Sequence, residues 1–194
     1  MTAEPLPDWF MPPPGGWTAD AMDDLPPGTP RMELIDGALI VMCPQTMFHG
    51  DAMWELANIF KKSAPEGIRV SMEMTTKLGK YQRPEPDVLV YRDSGEPAKE
   101  RRRRTHVRPE DVLLVVEIVS PESRYRDHMI KPYRYADAGI PHFWRVEDED
   151  GTTAIHVYEL DETTKSYVPI TIARGTLEIT RPFPMTIDVQ GLVD

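Results

Sequence analysis

The sequence predicts an α+β protein in which helices pack against a central β-sheet. An apolar run from Val112 to Val119, interrupted only by Glu117, is typical of a strand that is buried on both faces. The stretch Phe48–Lys62 places apolar residues at helical spacing, and several short stretches after Gly139 predict further strands. Helical and extended segments of this kind indicate a sheet with helices packed on it.

Length and composition indicate one globular domain with a tail. The chain has 194 residues, of which 40% are hydrophobic and 28% charged, as in soluble proteins. It contains no apolar run of membrane-spanning length and no signal-peptide pattern at its N-terminus. The single cysteine, Cys43, excludes an internal disulfide framework and a cysteine-rich zinc site. We therefore expect a cytoplasmic protein without a membrane partner.

The first segment, residues 1–30, is predicted to be a proline-rich arm ahead of a domain that covers residues 31–194. Its prolines exclude long helices and central strands; they are Pro5, Pro7, Pro12, Pro13, Pro14, Pro26, Pro27 and Pro30. Its aromatic residues favour an arm that lies against the domain or against a second subunit. Thr18–Leu25 is predicted to form one short helix, capped by Thr18 and ended by Pro26.

The domain is predicted to begin with a hairpin and a helix. Asp36-Gly37 favours a tight turn between the strands Arg31–Ile35 and Ala38–Met42. The helix Phe48–Lys62 follows, with His49 in its first turn.

Two core aromatic residues of this helix and two further strands are predicted next. Trp54 and Phe60 are expected in the core. Ile68–Leu78 is predicted to be an irregular strand, and Asp87 stands at the entry of the strand Val88–Tyr91.

The second half is predicted to hold the buried strand, one helix and four strands. Arg92–Glu110 is expected to be a polar loop, and a helix over Asp127–Ala138 is expected to end at Gly139. Pro132 requires that this helix begins near His128 or bends there. Trp144 is assigned to the core or a dimer interface. The C-terminal strands are predicted at His142–Glu147, Ala154–Leu160, Ser166–Ile172 and Met185–Val189.

Two carboxylates are the main candidates for chemistry. Asp87 begins one strand, and Glu117 lies near the C-terminal end of the next buried strand. If these strands are antiparallel neighbours, both carboxylates reach the same edge of the sheet. Adjacent carboxylates repel unless a cation lies between them, and oxygen ligands of this kind suit magnesium or manganese.

A basic partner for these carboxylates is expected on the following helix. Val119, two residues after Glu117 on the same face of the strand, offers no ammonium group. Lys131 is the nearest lysine downstream, and Asp127 precedes it at the spacing at which helix side chains meet. A helix packed on the sheet can direct Lys131 toward Glu117.

The order of these residues resembles the PD-(D/E)XK nuclease pattern with a displaced lysine. Asp87 comes first, Glu117-Ile118-Val119 follows, and Lys131 lies on the next helix. More specifically, the chain is similar to the Uma-type restriction endonuclease family of bacteria, from about Arg31 to the C-terminus. Pro132 and the arginine-rich loop depart from the family pattern. The matching pieces are Met32–Gly37, Val41–Pro44, His49, Pro86-Asp87-Val88, Val116–Pro121, Asp127, Lys131, Tyr135, Ala138–Pro141 and Phe143-Trp144.

This resemblance implies a restriction-endonuclease-like core, with a mixed sheet flanked by helices and an active site at one sheet edge. It also implies magnesium-dependent hydrolysis of phosphodiester bonds in nucleic acid, with DNA as the expected substrate, by a homodimer.

The roles that we expect combine the resemblance with the chemistry of the residues. Asp87 and Glu117, with the carbonyl of Ile118, are expected to hold one or two Mg²⁺ or Mn²⁺ ions. Lys131 is expected to position the attacking water or to balance charge on the phosphate. Glu33 and His49 are expected to contact metal-bound water, transfer a proton or bind phosphate.

Each of these residues also has a purely structural interpretation. Glu117 can reach water at a strand end, and Asp87 can simply start a strand after its proline. Lys131 can be a solvated helix lysine, weakly paired with Asp127 at the surface. Glu33 can be exposed in its hairpin, and His49 can cap or pack its helix. The order of the set favours the catalytic interpretation over these alternatives.

The charge distribution bears on the substrate and on the alternatives. The net charge of −10 argues against binding nucleic acid by bulk electrostatics, so a polyanion site must be local or contain metal ions. The run Arg101–Arg104 either grips phosphates near the active site or forms a solvated loop. The alternative functions are a non-catalytic module that binds nucleic acid or protein, and hydrolysis of another phosphoester.

Overall fold

The computed structural model describes residues 7–193. The first six residues of the predicted arm, Pro5 among them, and Asp194 at the end of the predicted domain lie outside the described residues.

The described chain is rich in strands and contains few helices. Its strands are β1 Met32–Ile35, β2 Ala38–Val41, β3 Ile68–Met72, β4 Thr75–Thr76, β5 Val88–Arg92, β6 His106–Val107, β7 Val112–Ile118, β8 His142–Glu149, β9 Thr152–Asp161, β10 Ser166–Ala173, β11 Thr176–Ile179 and β12 Met185–Asp188. Its α-helices are α1 Met47–Ser63, α2 Ala98–Arg101 and α3 Lys131–Asp137. Among the helices of residues 7–193, none has both the length and the apolarity needed to cross a bilayer.

A six-stranded sheet forms the centre of the fold, in the order β10-β9-β8-β7-β5-β3. Strands β7 and β8 are parallel, because the chain between them crosses over through α3. The other neighbouring pairs of this sheet are antiparallel. The sheet is therefore mixed, and the predicted α+β class with a mixed central sheet is confirmed.

Helices cover both faces of this sheet. Helix α1 packs on one face, where Phe60 meets Trp144 edge-on with ring centroids 5.5 Å apart. On the other face Tyr135 of α3 packs with Phe143. Trp144 is thus a core residue, as one of the two sequence interpretations has it. The prediction that Trp54 is a core residue is wrong, since 56% of its surface is exposed on the outer side of α1.

The N-terminal segment lies against the rest of the chain. The backbone N–H of Ala19 donates to the carbonyl of Lys80 at 2.8 Å, and Arg83 donates to the carbonyl of Ala19 at 2.7 Å. The predicted helix over Thr18–Leu25 is only a 3₁₀ turn, Ala21–Asp24, although the Thr18 hydroxyl does accept the N–H of Ala21. Three prolines shortly before this segment (Pro12–Pro14) and three after it (Pro26, Pro27 and Pro30) limit helical growth.

Three further regions differ from the prediction. The predicted strand Ile68–Leu78 breaks at Glu73, whose φ of 52° takes the chain out of the sheet before β4. The predicted polar loop Arg92–Glu110 contains the short elements α2 and β6. Strand β11 was not predicted; it pairs antiparallel with β12, and Ile179 meets Met185 six residues later in the chain.

The segment that leads into α3 resolves the position of Pro132. The residues Arg126–Ile130 form a π-helical turn, and the N–H of Lys131 donates to the carbonyl of Arg126. Proline has no N–H to donate to the turn before it, so the wider turn accommodates Pro132 at the start of α3. The helix therefore neither begins at His128 nor simply bends there, and the wider turn alters the direction in which its side chains point.

Candidate active site

A buried lysine surrounded by carboxylates lies where β7 ends beneath α3. The Lys131 Nζ is 3.0 Å from Glu117 Oε2, 3.1 Å from Glu33 Oε2 and 3.3 Å from Asp127 Oδ1. Lys131 has only 2% of its surface exposed, and the three acids are equally buried. The interpretation of Asp127 and Lys131 as a weak surface pair is therefore wrong, because the π-helical turn directs both side chains inward.

Asp87 lies beside this cluster because β5 and β7 are antiparallel. Val88 pairs with Val116, so Asp87 enters the sheet next to Glu117. Its Oδ2 accepts the backbone N–H of Ile118 at 2.6 Å, and its Oδ1 lies 3.0 Å from His49 Nε2. The structure therefore brings the five sequence-predicted site residues and the Ile118 peptide into one neighbourhood.

Local structure explains how the first hairpin and helix reach the site. Glu33 lies on β1 and is fully buried, contrary to the interpretation of an exposed hairpin residue. The Thr46 hydroxyl accepts the N–H of His49, which starts α1 and places the imidazole toward Asp87. His49 thus serves two contacts at once, because its backbone N–H is used by the helix cap while its ring contacts Asp87.

Two residues of the site, Tyr135 and Arg126, make contacts that the sequence did not predict. The Tyr135 hydroxyl donates to Glu117 Oε1 at 2.6 Å. Arg126 contacts Glu33 Oε1 at 3.3 Å while pairing with Glu122. The position of Tyr135 four residues after Lys131 was an available signal, because such residues share a helix face. Arg126 had no comparable signal, since its direction depends on the π-helical turn.

Burial and charge together shift the protonation of the cluster. Burial raises the pKa of Glu117 well above its usual range; the charge of Lys131 opposes this rise and that of Asp127 adds to it. Burial likewise raises the pKa of Asp127. Burial disfavours the charged form of Lys131, but Glu117, Glu33 and Asp127 outweigh it and raise its pKa well above the ordinary value. The ammonium therefore stays charged, while burial favours the protonated, neutral forms of Glu117 and Asp127.

These shifts predict how the stability of the metal-free protein depends on pH. Glu117 keeps its proton in the folded state at pH values where the unfolded chain has lost it. Folding then retains a proton, so the free energy of unfolding falls by about 1.4 kcal/mol per pH unit as pH rises above the ordinary carboxyl pKa of about 4.3. Urea unfolding in EDTA at a series of pH values measures this slope.

The variant Glu117→Gln is the control for that measurement. Several histidines, such as His106 and His142, have pKa values lowered by burial and give slopes of the opposite sign. The difference between the wild type and Glu117→Gln isolates the carboxyl. Two curves that stay parallel from pH 4 to pH 9 would contradict the raised pKa of Glu117.

A cavity of about 180 Å³ opens onto the cluster. His49, Asp87, Glu117, Asp127 and Lys131 line it, together with the rim residues Met42, Cys43, Pro44, Gln45, Thr46, Ser120, Pro121, Glu122 and Ser123. Glu33 does not line the cavity; it contacts Lys131 from behind. The cavity thus offers four carboxylates, counting Glu122 at the rim, one imidazole and one ammonium to a molecule that enters.

The donor set fits a divalent cation in its chemistry. Carboxylate oxygens are the ligands that Mg²⁺ and Mn²⁺ prefer, and a dication here would replace the protons that burial favours on Glu117 and Asp127. Glu33 Oε1 and Asp127 Oδ1 make ion contacts of 3.3 Å, to Arg126 and Lys131, but no hydrogen bond of good geometry. Among residues 7–193, no group of three acidic, histidine or cysteine side chains is arranged to hold a metal ion by itself. An ion here would therefore complete its coordination with water and substrate oxygens, as Mg²⁺ commonly does.

The arginine run lies away from this cavity. Strand β5 begins beside Asp87 at the acid cluster, and its other end, Arg92, pairs with Ile68. Arg101, Arg102 and Arg104 line a separate groove with Arg69 at that far end. Asp87 in the cavity and Tyr91 in that groove are four residues apart, which is about 13 Å of extended chain. The run therefore does not line the cavity, and a role in gripping phosphates near the active site stays a prediction.

The family model that matches the chain is Uma2, described as "Putative restriction endonuclease", and it covers residues 19–190. The chain belongs to the Uma2 family. The resemblance predicted from the sequence is thus confirmed, and the match begins at Ala19, where the N-terminal segment first becomes buried. A comparison with curated proteins returns no significant match.

A solved structure shares the fold of this Uma2 chain. It is described as a "putative nuclease belonging to DUF820" from Anabaena variabilis ATCC 29413. The two are 18% identical, with a TM-score of 0.67, and the match covers 91% of this chain and 97% of that one. At this identity the likeness establishes the architecture, and the chemistry must be argued from the residues of this chain.

Proposed function

We propose that this Uma2 protein is a metal-dependent endonuclease that hydrolyses phosphodiester bonds in DNA. The observation that carries the proposal is the arrangement of Asp87, Glu117 and Lys131 around one cavity at the edge of a mixed sheet. Family membership supports a nuclease, and the oxygen donors and buried ammonium support phosphodiester chemistry.

Asp87 and Glu117 would hold one or two Mg²⁺ or Mn²⁺ ions, with the carbonyl of Ile118 as a further ligand. Such an ion supplies Lewis-acid activation of water and neutralises charge on the phosphate. Tyr135 and Lys131 keep the Glu117 carboxylate oriented through contacts of 2.6 and 3.0 Å. The Ile118 N–H does the same for Asp87. The ligands are therefore held in place before substrate binds.

Lys131 is the cationic side chain that the protein itself contributes to the cavity. Its ammonium reaches the cavity and stays charged, so it can stabilise the negative charge that builds on the phosphate oxygens and position the attacking water. Glu33 contacts the same ammonium from the side away from the cavity, so it acts as a positioning residue. His49 faces the cavity beside Asp87, where it can accept a proton or bind a phosphate oxygen.

The proposal extends to a cytoplasmic homodimer. Strand β10 is an edge strand of the central sheet. It exposes Val168, Ile170 and Ile172, at 40%, 52% and 49% of their surfaces. A row of apolar side chains on a sheet edge supports pairing with a second copy.

Cleavage of supercoiled plasmid tests the proposed function directly. We expect nicked and linear products with Mg²⁺ or Mn²⁺ and none in EDTA, because the carboxylates need the ion to act on a phosphodiester. Single-stranded DNA and a small model phosphodiester are assayed in parallel. Turnover of the model diester alone would replace the proposal with another phosphoesterase activity. Metal-independent binding without any turnover would favour the non-catalytic module.

A further inference from the structure

We propose that the basic groove at the far end of β5 binds the phosphate backbone of the nucleic acid, as an anchor separate from the acid cluster. The basic groove is the concave surface of about 550 Å³ between the end of α1, strand β3 and the arginine run. This inference rests on the proposed function, because it assigns a second contact to the same substrate. Its lining residues with charge are Lys61, Arg69, Arg101, Arg102 and Arg104.

The charge of the basic groove is opposite to that of the chain as a whole. No acidic residue of the described chain lines it. Asp93 lies 2.5 Å from Arg69 and 3.8 Å from Arg101, and Glu96 pairs with Arg104. Two neighbouring carboxylates thus compensate five lining cations only in part. On a protein of net charge −10, a polyanion must bind at a local positive site, because the overall charge repels it. The basic groove is such a site.

Three arginines of the groove, Arg69, Arg101 and Arg104, are held by salt bridges, whereas Arg102 is exposed. Arg101 ends the helix α2, and the Arg104 N–H donates to the Arg101 carbonyl at 3.2 Å. Salt bridges to Asp93 and Glu96 fix the three guanidinium groups, and the hydroxyls of Ser71 and Tyr91 meet at 3.2 Å in the same groove. Ordered guanidinium groups lose less entropy when they bind phosphate oxygens, and their planar forks match them in geometry.

The distance between the two sites favours a polymer over a free phosphate. The acid cluster and the basic groove lie at opposite ends of β5, about 13 Å apart along the strand. Successive phosphates of one DNA strand rise by about 3.4 Å along the helix axis, so the span corresponds to about four nucleotides. One nucleic acid can therefore contact both sites, whereas a single phosphate can reach only one.

Binding of a fluorescent DNA duplex in EDTA, measured by anisotropy across a range of NaCl concentrations, tests the groove without catalysis. Lys61→Glu and Arg102→Glu remove cations that are exposed in the groove. Each is expected to weaken binding about fivefold at low salt and to lower the slope of log Kd against log salt by about one. The matched control is Lys165→Glu, the same charge change in the turn before β10 at the opposite edge of the sheet.

The outcomes separate the groove from the enzyme. Equal weakening by Lys165→Glu, or unchanged slopes in Lys61→Glu and Arg102→Glu, overturns the groove while cleavage by the wild type still supports the endonuclease. If binding depends on the groove but the wild type cleaves no substrate, the groove proposal is supported and the endonuclease proposal is contradicted. Displacement of the DNA by polyglutamate as effectively as by unlabelled DNA overturns the assignment to nucleic acid, because it indicates an acidic protein partner.

Discussion

Replacing Glu117 with glutamine is expected to lower the rate of plasmid cleavage by about a thousandfold or more. The amide keeps the shape of the side chain but removes the charge with which the proposed site holds its ion. A thousandfold loss corresponds to about 4 kcal/mol of transition-state stabilisation, which is within the range that a catalytic metal supplies. Initial rates of nicking under saturating Mn²⁺ measure the effect.

Glu122→Gln is the matched control, because Glu122 lines the same cavity but pairs with Arg126 at its rim. It is expected to keep its rate within a few fold of the wild type. The Glu117→Gln protein is expected to remain folded, since the amide is neutral like the protonated carboxyl that burial favours. Full activity in Glu117→Gln, or equal losses in both variants, would remove Glu117 from the catalytic site.

Replacing Lys131 with methionine is expected to lower the free energy of unfolding at pH 7 by about 3–5 kcal/mol. The variant leaves Glu117, Glu33 and Asp127 buried without the ammonium that lies within 3.3 Å of each. Uncompensated buried charge is among the most destabilising changes in proteins. The raised pKa of Lys131 keeps its contribution in place at neutral pH, and that contribution is lost only as pH rises through the raised value. Urea unfolding in EDTA measures the change.

Lys62→Met provides the control, because Lys62 is exposed on α1, and it should alter stability by less than about 0.5 kcal/mol. The double variant Lys131→Met/Glu117→Gln should recover part of the loss, since it removes one of the uncompensated acids. This recovery keeps the test informative even where Lys131→Met alone fails to fold. An unfolding free energy within 1 kcal/mol of the wild type for Lys131→Met would contradict the buried charge cluster.

The central part of the site could be predicted from the sequence because it depends on strand order and side-chain alternation. Asp87 at a strand entry and Glu117 near a strand exit meet once the two strands are antiparallel. An apolar run is enough to identify the buried strand that carries Glu117. A lysine on the following helix is then the nearest group able to reach it, and the structure places Lys131 there at 3.0 Å.

Other features depend on contacts that local sequence does not encode. Glu33 occupies a short hairpin strand whose burial follows from the packing of α3 above it, so its exposure was misjudged. Trp54 belongs to a broad apolar face of α1, only part of which the sheet covers. The direction of Arg126 follows from a π-helical turn that Pro132 favours but does not by itself specify.

The central claim is that Asp87 and Glu117 hold a divalent ion in the cavity beside Lys131. The most direct measurement is anomalous diffraction at the manganese edge from crystals grown with Mn²⁺. The account predicts an anomalous peak within coordinating distance of both carboxylates, and its loss in crystals of Asp87→Asn. A cavity without a peak at saturating Mn²⁺, or manganese bound only at surface carboxylates elsewhere, would contradict it.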